Sequence, residues 1–261
     1  MASAALGLAR RVRLDTAYVR VAGALVIVLL WEGVAHSSMF PRAVFPSILD
    51  VARSLLSSVT SAGFYRHLGV TAFEVLVAFA IGSGAGLIVG LVGGMSSYFG
   101  KVVDPYLHYL APTPKIIFLP LLMLMLGVGI GSKIGLGVVS AFFPVAVATL
   151  AGMRHLPDVL VRVGASFRLT TWQMVRKIYI PALAAPITTG LGLGLGAAMT
   201  GVLLGECKMS NQGLGFLTIE AYRSFRIADM YALLALSFTL AVVLTTGIER
   251  IGRRFNRRSA Y

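Results

Sequence analysis

The side chains that could bind a metal ion or act as nucleophiles are few and far apart in this sequence. The four histidines are His36, His67, His108 and His155, and Cys207 is the only cysteine. No His-Glu-x-x-His pair occurs, and one thiol forms neither a thiolate cluster nor a disulfide within the chain. We therefore expect no metal site and no catalytic constellation.

Glycine-containing stretches do not form a nucleotide site either. Gly100 and Lys101 are followed by Val102, and the first glycine of a P-loop is missing. Residues 190–196 alternate glycine and leucine, but they follow no strand and lie inside an apolar run. Gly82, Gly86, Gly90 and Gly94 are spaced four residues apart, and this spacing is typical of close helix packing. We expect no cofactor on this chain.

The composition is that of a membrane protein. Of the 261 residues, 57% are apolar and 13% charged, and the mean hydropathy is +0.84. An ordinary soluble domain has about 45–50% apolar and about 25% charged residues. The net charge of +13 lies in short segments between apolar runs. Membrane lipid, rather than nucleic acid, is therefore the expected acidic partner.

Six apolar runs are long enough to cross a bilayer as helices, because about 20 residues span about 30 Å of hydrocarbon. They are residues 19–35, 67–95, 103–126, 133–153, 181–206 and 230–248. The start resembles a signal or transit peptide, but the first run is long enough to span and no clean cleavage site follows. We predict an all-α integral membrane protein with one domain at 19–250, a basic segment at 1–18 and a basic tail at 251–261.

The distribution of lysine and arginine predicts the orientation, because these residues are retained on the cytoplasmic side. With the N-terminus inside, 15 of the 23 fall on that side. Those on the other side are Arg42, Arg53, Arg66, Lys133, Lys208, Arg223 and Arg226, and Lys115 lies inside the third run. Both termini are predicted to be cytoplasmic.

Ionisable residues within or beside the runs are Glu32, Glu74, Lys115 and Glu206. Charge at membrane depth is costly and often functional. The three acids lie near the predicted span ends, so we interpret them as interfacial or helix-end charges. A proton- or sodium-coupled carrier would instead place several acids near mid-membrane.

The third run contains Pro112, Pro114 and Pro120, and each interior proline removes a helical hydrogen bond. We predict a bent or broken helix that faces a translocation route, although a kink needed only for packing fits equally well. The residues predicted to line the route are Pro112, Thr113, Pro114, Lys115, Met199, Val202 and Glu206.

Residues 154–180, which we call the jointed segment, connect the fourth and fifth runs. The segment breaks at Pro157 and again at Thr170 and Thr171, and apolar side chains recur every four residues from 159 to 167. This pattern predicts a short exposed helix, a turn and a second helix with a threonine cap. The segment fits either a basic loop held against anionic lipid or a contact for a partner.

The jointed segment resembles the signature loop of inner-membrane permeases from binding-protein-dependent ABC importers. Residues 178–181 (Ile-Tyr-Ile-Pro) match its Ile-x-Leu-Pro ending, and 172–173 (Trp-Gln) with 176–177 (Arg-Lys) match the residues before it. The front half departs from the pattern. Residues 162–164 stand where Glu-Ala-Ala is expected, and Arg168 stands at the usual glycine.

Further motifs resemble the subgroup for nitrate, sulfonate, taurine, bicarbonate and pyrimidine-precursor uptake, and the similarity covers residues 31–254. The motifs are residues 45–47, 104–105, 112–121, 127–134, 142–144, 205–206, 213–215, 228–230 and 249–250.

The resemblance implies a type I importer permease fold with a cytoplasmic coupling helix in the bacterial inner membrane. Two permease copies, here identical, would form the path for a small anionic solute such as a sulfonate, nitrate or carboxylate. A periplasmic or lipid-anchored binding protein would deliver the solute, and two ABC ATPase subunits would bind ATP and Mg²⁺. The residues implied to contact the ATPase are Gly164, Ala165, Ser166, Phe167, Arg168, Leu169, Thr170 and Trp172.

Two other classes of function remain as alternatives. A secondary carrier would work without an ATPase chain and would need coupling acids at mid-membrane. A membrane-embedded enzyme would need converging histidine or acidic side chains, which the scattered positions do not favour.

Overall fold

The computed structural model describes the backbone of residues 2–37, 41 and 44–258, and the side chains of 18–37, 41 and 44–252. These ranges hold helices and their connections, with no strand among them. The basic segments predicted at 1–18 and 251–261 fall almost wholly outside the ranges with described side chains.

The first half of the described chain contains five α-helices, and a short 3₁₀ helix (Lys115–Phe118) precedes the fifth. They are α1 (Ala2–His36), α2 (Ile48–Thr60), α3 (Ala62–Met95), α4 (Ser97–Leu110) and α5 (Leu119–Leu126).

The second half of the described chain contains seven α-helices, and a π-helical turn (Val175–Tyr179) lies between those that end at Met174 and begin at Ile180. They are α6 (Ile130–Arg154), α7 (Asp158–Ser166), α8 (Thr171–Met174), α9 (Ile180–Ala182), α10 (Ala184–Met209), α11 (Leu214–Arg223) and α12 (Ile227–Arg258).

Within the described residues, five helices are long and apolar enough to cross a membrane: α1, α3, α6, α10 and α12. The pair formed by α4 and the stretch Lys115–Leu126 also passes as one span, but its halves meet at a bend of 101°. The predicted break in the third run is therefore confirmed. The six predicted runs correspond to five continuous helices and this broken pair.

Helix α6 lies between α3 and α10, and glycines bring the three backbones close together. A Cβ atom on Gly82 or Gly86 of α3 would lie 2.6 or 2.7 Å from a carbonyl oxygen of α6. On α10, a Cβ atom on Gly201 would lie 2.9 Å from the carbonyl oxygen of Leu136. The prediction that the spaced glycines serve helix packing is confirmed for those of α3 at 82–94 and for Gly190 and Gly194 of α10, whereas Gly196 faces open space.

Helix α12 packs against this three-helix core. Apolar residues of α12 pack against a cluster of Val75, Leu195 and Met199 contributed by α3 and α10. Helix α1 is nearly all exposed over Tyr18–His36 and is held at its end, where Trp31 donates to the Pro46 carbonyl oxygen at 3.1 Å.

Gly86→Ala should destabilise the fold by about 1–3 kcal/mol, because its methyl group would press on the α6 backbone at Phe142 and Ala146. Gly84→Ala is the matched control, since nothing lies within 4 Å of its Cβ position. Thermal unfolding of the detergent-solubilised protein measures both. Equal melting temperatures for the two variants would contradict the packing.

Candidate functional site

The break in the third span is held together by Lys115. The helix breaks here with a bend of 101°, so carbonyl oxygens at the break lose the donors that a continuous helix would supply. The Lys115 ammonium group donates to the carbonyl oxygens of Leu110 at 3.2 Å, of Thr113 at 2.7 Å and of Ala111. It thus replaces backbone donors at a position where a membrane would provide none.

A groove of about 560 Å³ opens beside this break. Its walls are the break itself, one face of α6 and one face of α10. Lys115 is the only charged residue among those that line it, and its ammonium nitrogen lies 5.1 Å from the centre of the Phe143 ring. The lining residues that α10 contributes are Leu193, Ala197, Thr200, Gly201 and Leu204.

Only some of the residues predicted to line a route lie at the groove. Thr113, Pro114 and Lys115 line the groove, and Pro112 is exposed in the same break. Met199, Val202 and Glu206 do not reach it. Their exposed fractions are 2%, 0% and 0%, and Met199 and Val202 pack with Val75 and Ala78 of α3 on the opposite face of α10.

Glu74 and Glu206 are buried rather than exposed at a surface, although Glu206 does lie in the last turn of α10. Both are 0% exposed, and Lys133, which forms an ion pair with Glu74, is 4% exposed. The Glu206 carboxylate accepts from the Thr71 hydroxyl at 2.6 Å and from the Gly215 N–H at 2.7 Å. Glu32, by contrast, is half-buried near the end of α1 and accepts from the Ile48 N–H at 3.2 Å.

The loop between α10 and α11 is fixed by side chains of α3. The Gly213 N–H donates to His67 Nδ1 at 3.0 Å, and the Leu214 N–H donates to the Thr71 hydroxyl oxygen at 2.8 Å. Gly213 has a φ of +112°, and a Cβ atom there would overlap the Glu206 carboxylate. Three successive N–H groups at 213–215 therefore each have a side-chain acceptor.

Sequence reasoning missed this cluster, although a signal was present. His67, Thr71 and Glu74 recur at the spacing that places residues on one face of a helix. Lys133, a positive charge next to an apolar run in the sequence, lies in the first turn of α6 and also donates to the Ser210 hydroxyl at 3.1 Å.

The jointed segment folds as two short helices with an exposed turn. Helix α7 follows Pro157 and Thr170 caps α8, as the sequence predicted, and the Gln173 side chain completes a capping box. Gly164 is buried: a Cβ atom there would lie 2.6 Å from Ile178 and would overlap Met174. The two arms of the segment therefore pack against each other.

The turn after α7 exposes apolar side chains. Arg168 has a φ of +49°, and the N–H groups of Arg168 and Leu169 donate to the carbonyl oxygens of Ala165 and Gly164, which is a Schellman ending. Phe167 is 77% and Trp172 69% exposed. Leu169, which is also among the residues implied to contact the ATPase, is half-buried.

Residues 82–261 match the family described as "Binding-protein-dependent transport system inner membrane component", and the protein belongs to this family. A Bacillus subtilis relative is 27% identical over 229 residues, 88% of this chain and 83% of its own length, and is named for aliphatic sulfonates transport. The taurine transport system permease protein TauC of Escherichia coli is 27% identical over 234 residues, 88% of this chain and 85% of its own length.

The fold is that of type I ABC importer permeases. A solved structure of the MetNI methionine ABC transporter in an inward-facing conformation superposes with a TM-score of 0.59. The two chains are 19% identical, and the match covers 70% of this chain and 93% of that one. The protein is thus the multi-pass permease component of a binding-protein-dependent importer.

Lys115→Met should destabilise the broken span by about 1–3 kcal/mol, because it leaves carbonyl oxygens at the break without donors. Lys101→Met is the control, since Lys101 is exposed on the neighbouring helix α4. Thermal unfolding in detergent compares them. An unchanged melting temperature for Lys115→Met would show that the ammonium group does not hold the break.

Proposed function

We propose that the groove beside the broken span is half of a translocation path that two copies of this chain complete. The observation that carries the proposal is the groove itself, which joins a proline-broken span to α6 and α10 and lies open along one side of the chain. Broken backbone at membrane depth needs protein or water beside it rather than lipid. A second copy facing the groove would supply that protected environment.

The solute that we propose is a small anion of the sulfonate, nitrate or carboxylate type. Two relatives are named for taurine and for aliphatic sulfonates. The groove supports the same class, because its single charged residue, Lys115, is a cation and its other walls are mainly apolar. An external binding protein would deliver the anion to this path.

The jointed segment is the proposed contact for a cytoplasmic ATPase, which would bind ATP and Mg²⁺. Its turn presents Phe167 and Trp172 to solvent, with Arg168 between them. Exposed aromatic side chains beside an arginine are typical of a protein interface. The orientation that places this segment and both termini in the cytoplasm is the one favoured by the distribution of positive charge.

A secondary carrier is less well supported. Its coupling acids would have to meet the solute path, but Glu74 and Glu206 are fully buried on the far side of α10 from the groove. No acidic residue lines the groove among the described residues.

Phe167→Ala and Arg168→Glu should each reduce co-purification of the ATPase at least tenfold, because they remove an anchor and reverse a charge at the contact. Phe73→Ala and Arg223→Glu are matched controls, since both residues are exposed elsewhere on the chain. Pull-down of the ATPase on the tagged permease measures the effect. Full ATPase recovery with both segment variants would contradict the proposal that the jointed segment contacts the ATPase.

Cysteines at Thr113 or Ala197 should form a covalent dimer with a bifunctional maleimide, because both positions line the groove that would face a second copy. The reaction is run in a Cys207→Ser background, and Val243→Cys on exposed α12 is the control. Gel mobility in membranes gives the dimer fraction. Cross-linking at 243 but at neither groove position would overturn the proposed arrangement.

A further inference from the structure

A second groove, of about 640 Å³, lies between the end of α6, the start of the jointed segment and the residues that lead into α10. The jointed segment contributes Leu156, Pro157 and Leu160 to its walls. Ala148 and Ala151 of α6 line this second groove and also line the groove beside the break. The two grooves therefore meet along α6.

Together the two grooves follow one face of α6 and one face of α10. The lining residues of α6 recur every three or four positions, which is the spacing of a single helix face. They include Leu136, Ser140, Phe143, Val147, Ala151 and His155. The lining residues of α10 have the same spacing and include Pro186, Thr189, Leu193, Ala197, Thr200 and Leu204.

This shared face is long enough to cross a bilayer. From Leu136 to His155 it extends about 28 Å at about 1.5 Å per residue, and the hydrocarbon of a bilayer is about 30 Å thick. The positions that both grooves share, Ala148 and Ala151, carry only methyl groups. The α6 side of the track is therefore unobstructed where the grooves meet.

Close packing of α6 on α10 forms the floor of the track. A Cβ atom on Gly190 of α10 would lie 2.8 Å from the Cβ atom of Ala148. One on Gly152 of α6 would lie 2.6 Å from the side chain of Pro186. The two helices thus leave no gap between them along the second groove.

The far end of the track has a side chain that can meet an anion. His155 is exposed and is the only ionisable residue among those described as lining the second groove. Its imidazole has an N–H donor whether the ring is neutral or charged. Leu160 of α7, which is 38% exposed, lines the same groove from the jointed segment.

We propose that the second groove is the cytoplasmic exit of the translocation path, where a small anion passes His155 and Leu160. This inference rests on the proposed function, because it takes the groove beside the break as the path and the jointed segment as cytoplasmic. It gives one short helix two roles. Helix α7 lines the exit with Leu160 and leads at its end into the proposed ATPase contact at Phe167 and Arg168.

Thiol labelling from the cytoplasmic side tests the exit. The full-length chain carries Val147→Cys, in the groove beside the break, and Cys207→Ser. Inside-out membrane vesicles are treated with sulfonatoethyl methanethiosulfonate, a thiol reagent that is itself a small sulfonate anion. Leu160→Trp should slow the reaction at position 147 about tenfold, because the larger side chain fills part of the second groove.

Val159→Trp is the matched control for Leu160→Trp. Val159 is exposed on the same helix and is not among the residues described as lining either groove. The labelling rate at position 147 should therefore stay the same in this variant.

The charge at the exit provides a second measurement. His155→Glu should slow the anionic reagent at Val147→Cys about fivefold relative to its cationic trimethylammonium analogue, because a carboxylate at the exit repels anions. His108→Glu is the control, since His108 is exposed on α4 and is not described as lining either groove. The ratio of the two rates should not change in this control.

The outcomes distinguish failure of the exit from failure of the path. Rapid labelling of Val147→Cys that Leu160→Trp does not slow, or an unchanged rate ratio in His155→Glu, would overturn the exit and leave the path in place. The absence of labelling at position 147 from the cytoplasmic side would overturn the exit as well. Failure of the path itself would instead appear as the loss of dimer cross-linking at Thr113 and Ala197.

Discussion

The close approach of α6 to both α3 and α10 is the constraint on which the rest of the structure depends. Glycines on α3 face the α6 backbone from one side, and Gly190, Gly194 and Gly201 of α10 face it from another. This leaves one further face of α6, and Pro144, Val147 and Ala151 on that face line the groove. The position of the groove therefore follows from helix packing.

Four polar side chains in the spans, Lys115, Glu206, Thr71 and His67, act as partners for interrupted backbone. A backbone group without a partner in hydrocarbon costs several kcal/mol, so each break in a helix needs donors or acceptors nearby. Lys115 supplies donors to the carbonyl groups at the end of α4. Glu206, Thr71 and His67 supply acceptors to the N–H groups at 213–215. Charge and irregular backbone thus occur together in this protein.

Local features of the fold were predictable because their causes are local. Prolines remove hydrogen bonds wherever they stand, and Thr170 caps a helix that begins at the next residue. Position 168, where the family signature has glycine and this chain has arginine, also has a local explanation. Arg168 adopts the left-handed conformation that a glycine adopts at a Schellman ending. The contact of Glu74 with Lys133 joins distant parts of the chain, and no short pattern encodes it.

Which face of α10 lines the groove was not predictable from the sequence. This helix is apolar all round and packs against α3, α6 and α12, so no hydrophobic stripe distinguishes one face from another. Met199 and Val202 were therefore expected in the route, whereas Ala197 and Thr200 are the residues that line the groove.

The jointed segment is connected to every wall of the groove. It continues directly from α6 and leads into α10, and a Cβ atom on Gly152 near the end of α6 would lie 2.6 Å from Pro186 on α10. Arg154 at the end of α6 also pairs with Asp104 of α4 at 2.9 Å, and α4 leads into the break at Lys115. Because this ion pair is half-exposed, it contributes little to stability. The continuity of the segment with α6 and α10, together with this ion pair, therefore connects α7 to all three elements that form the groove.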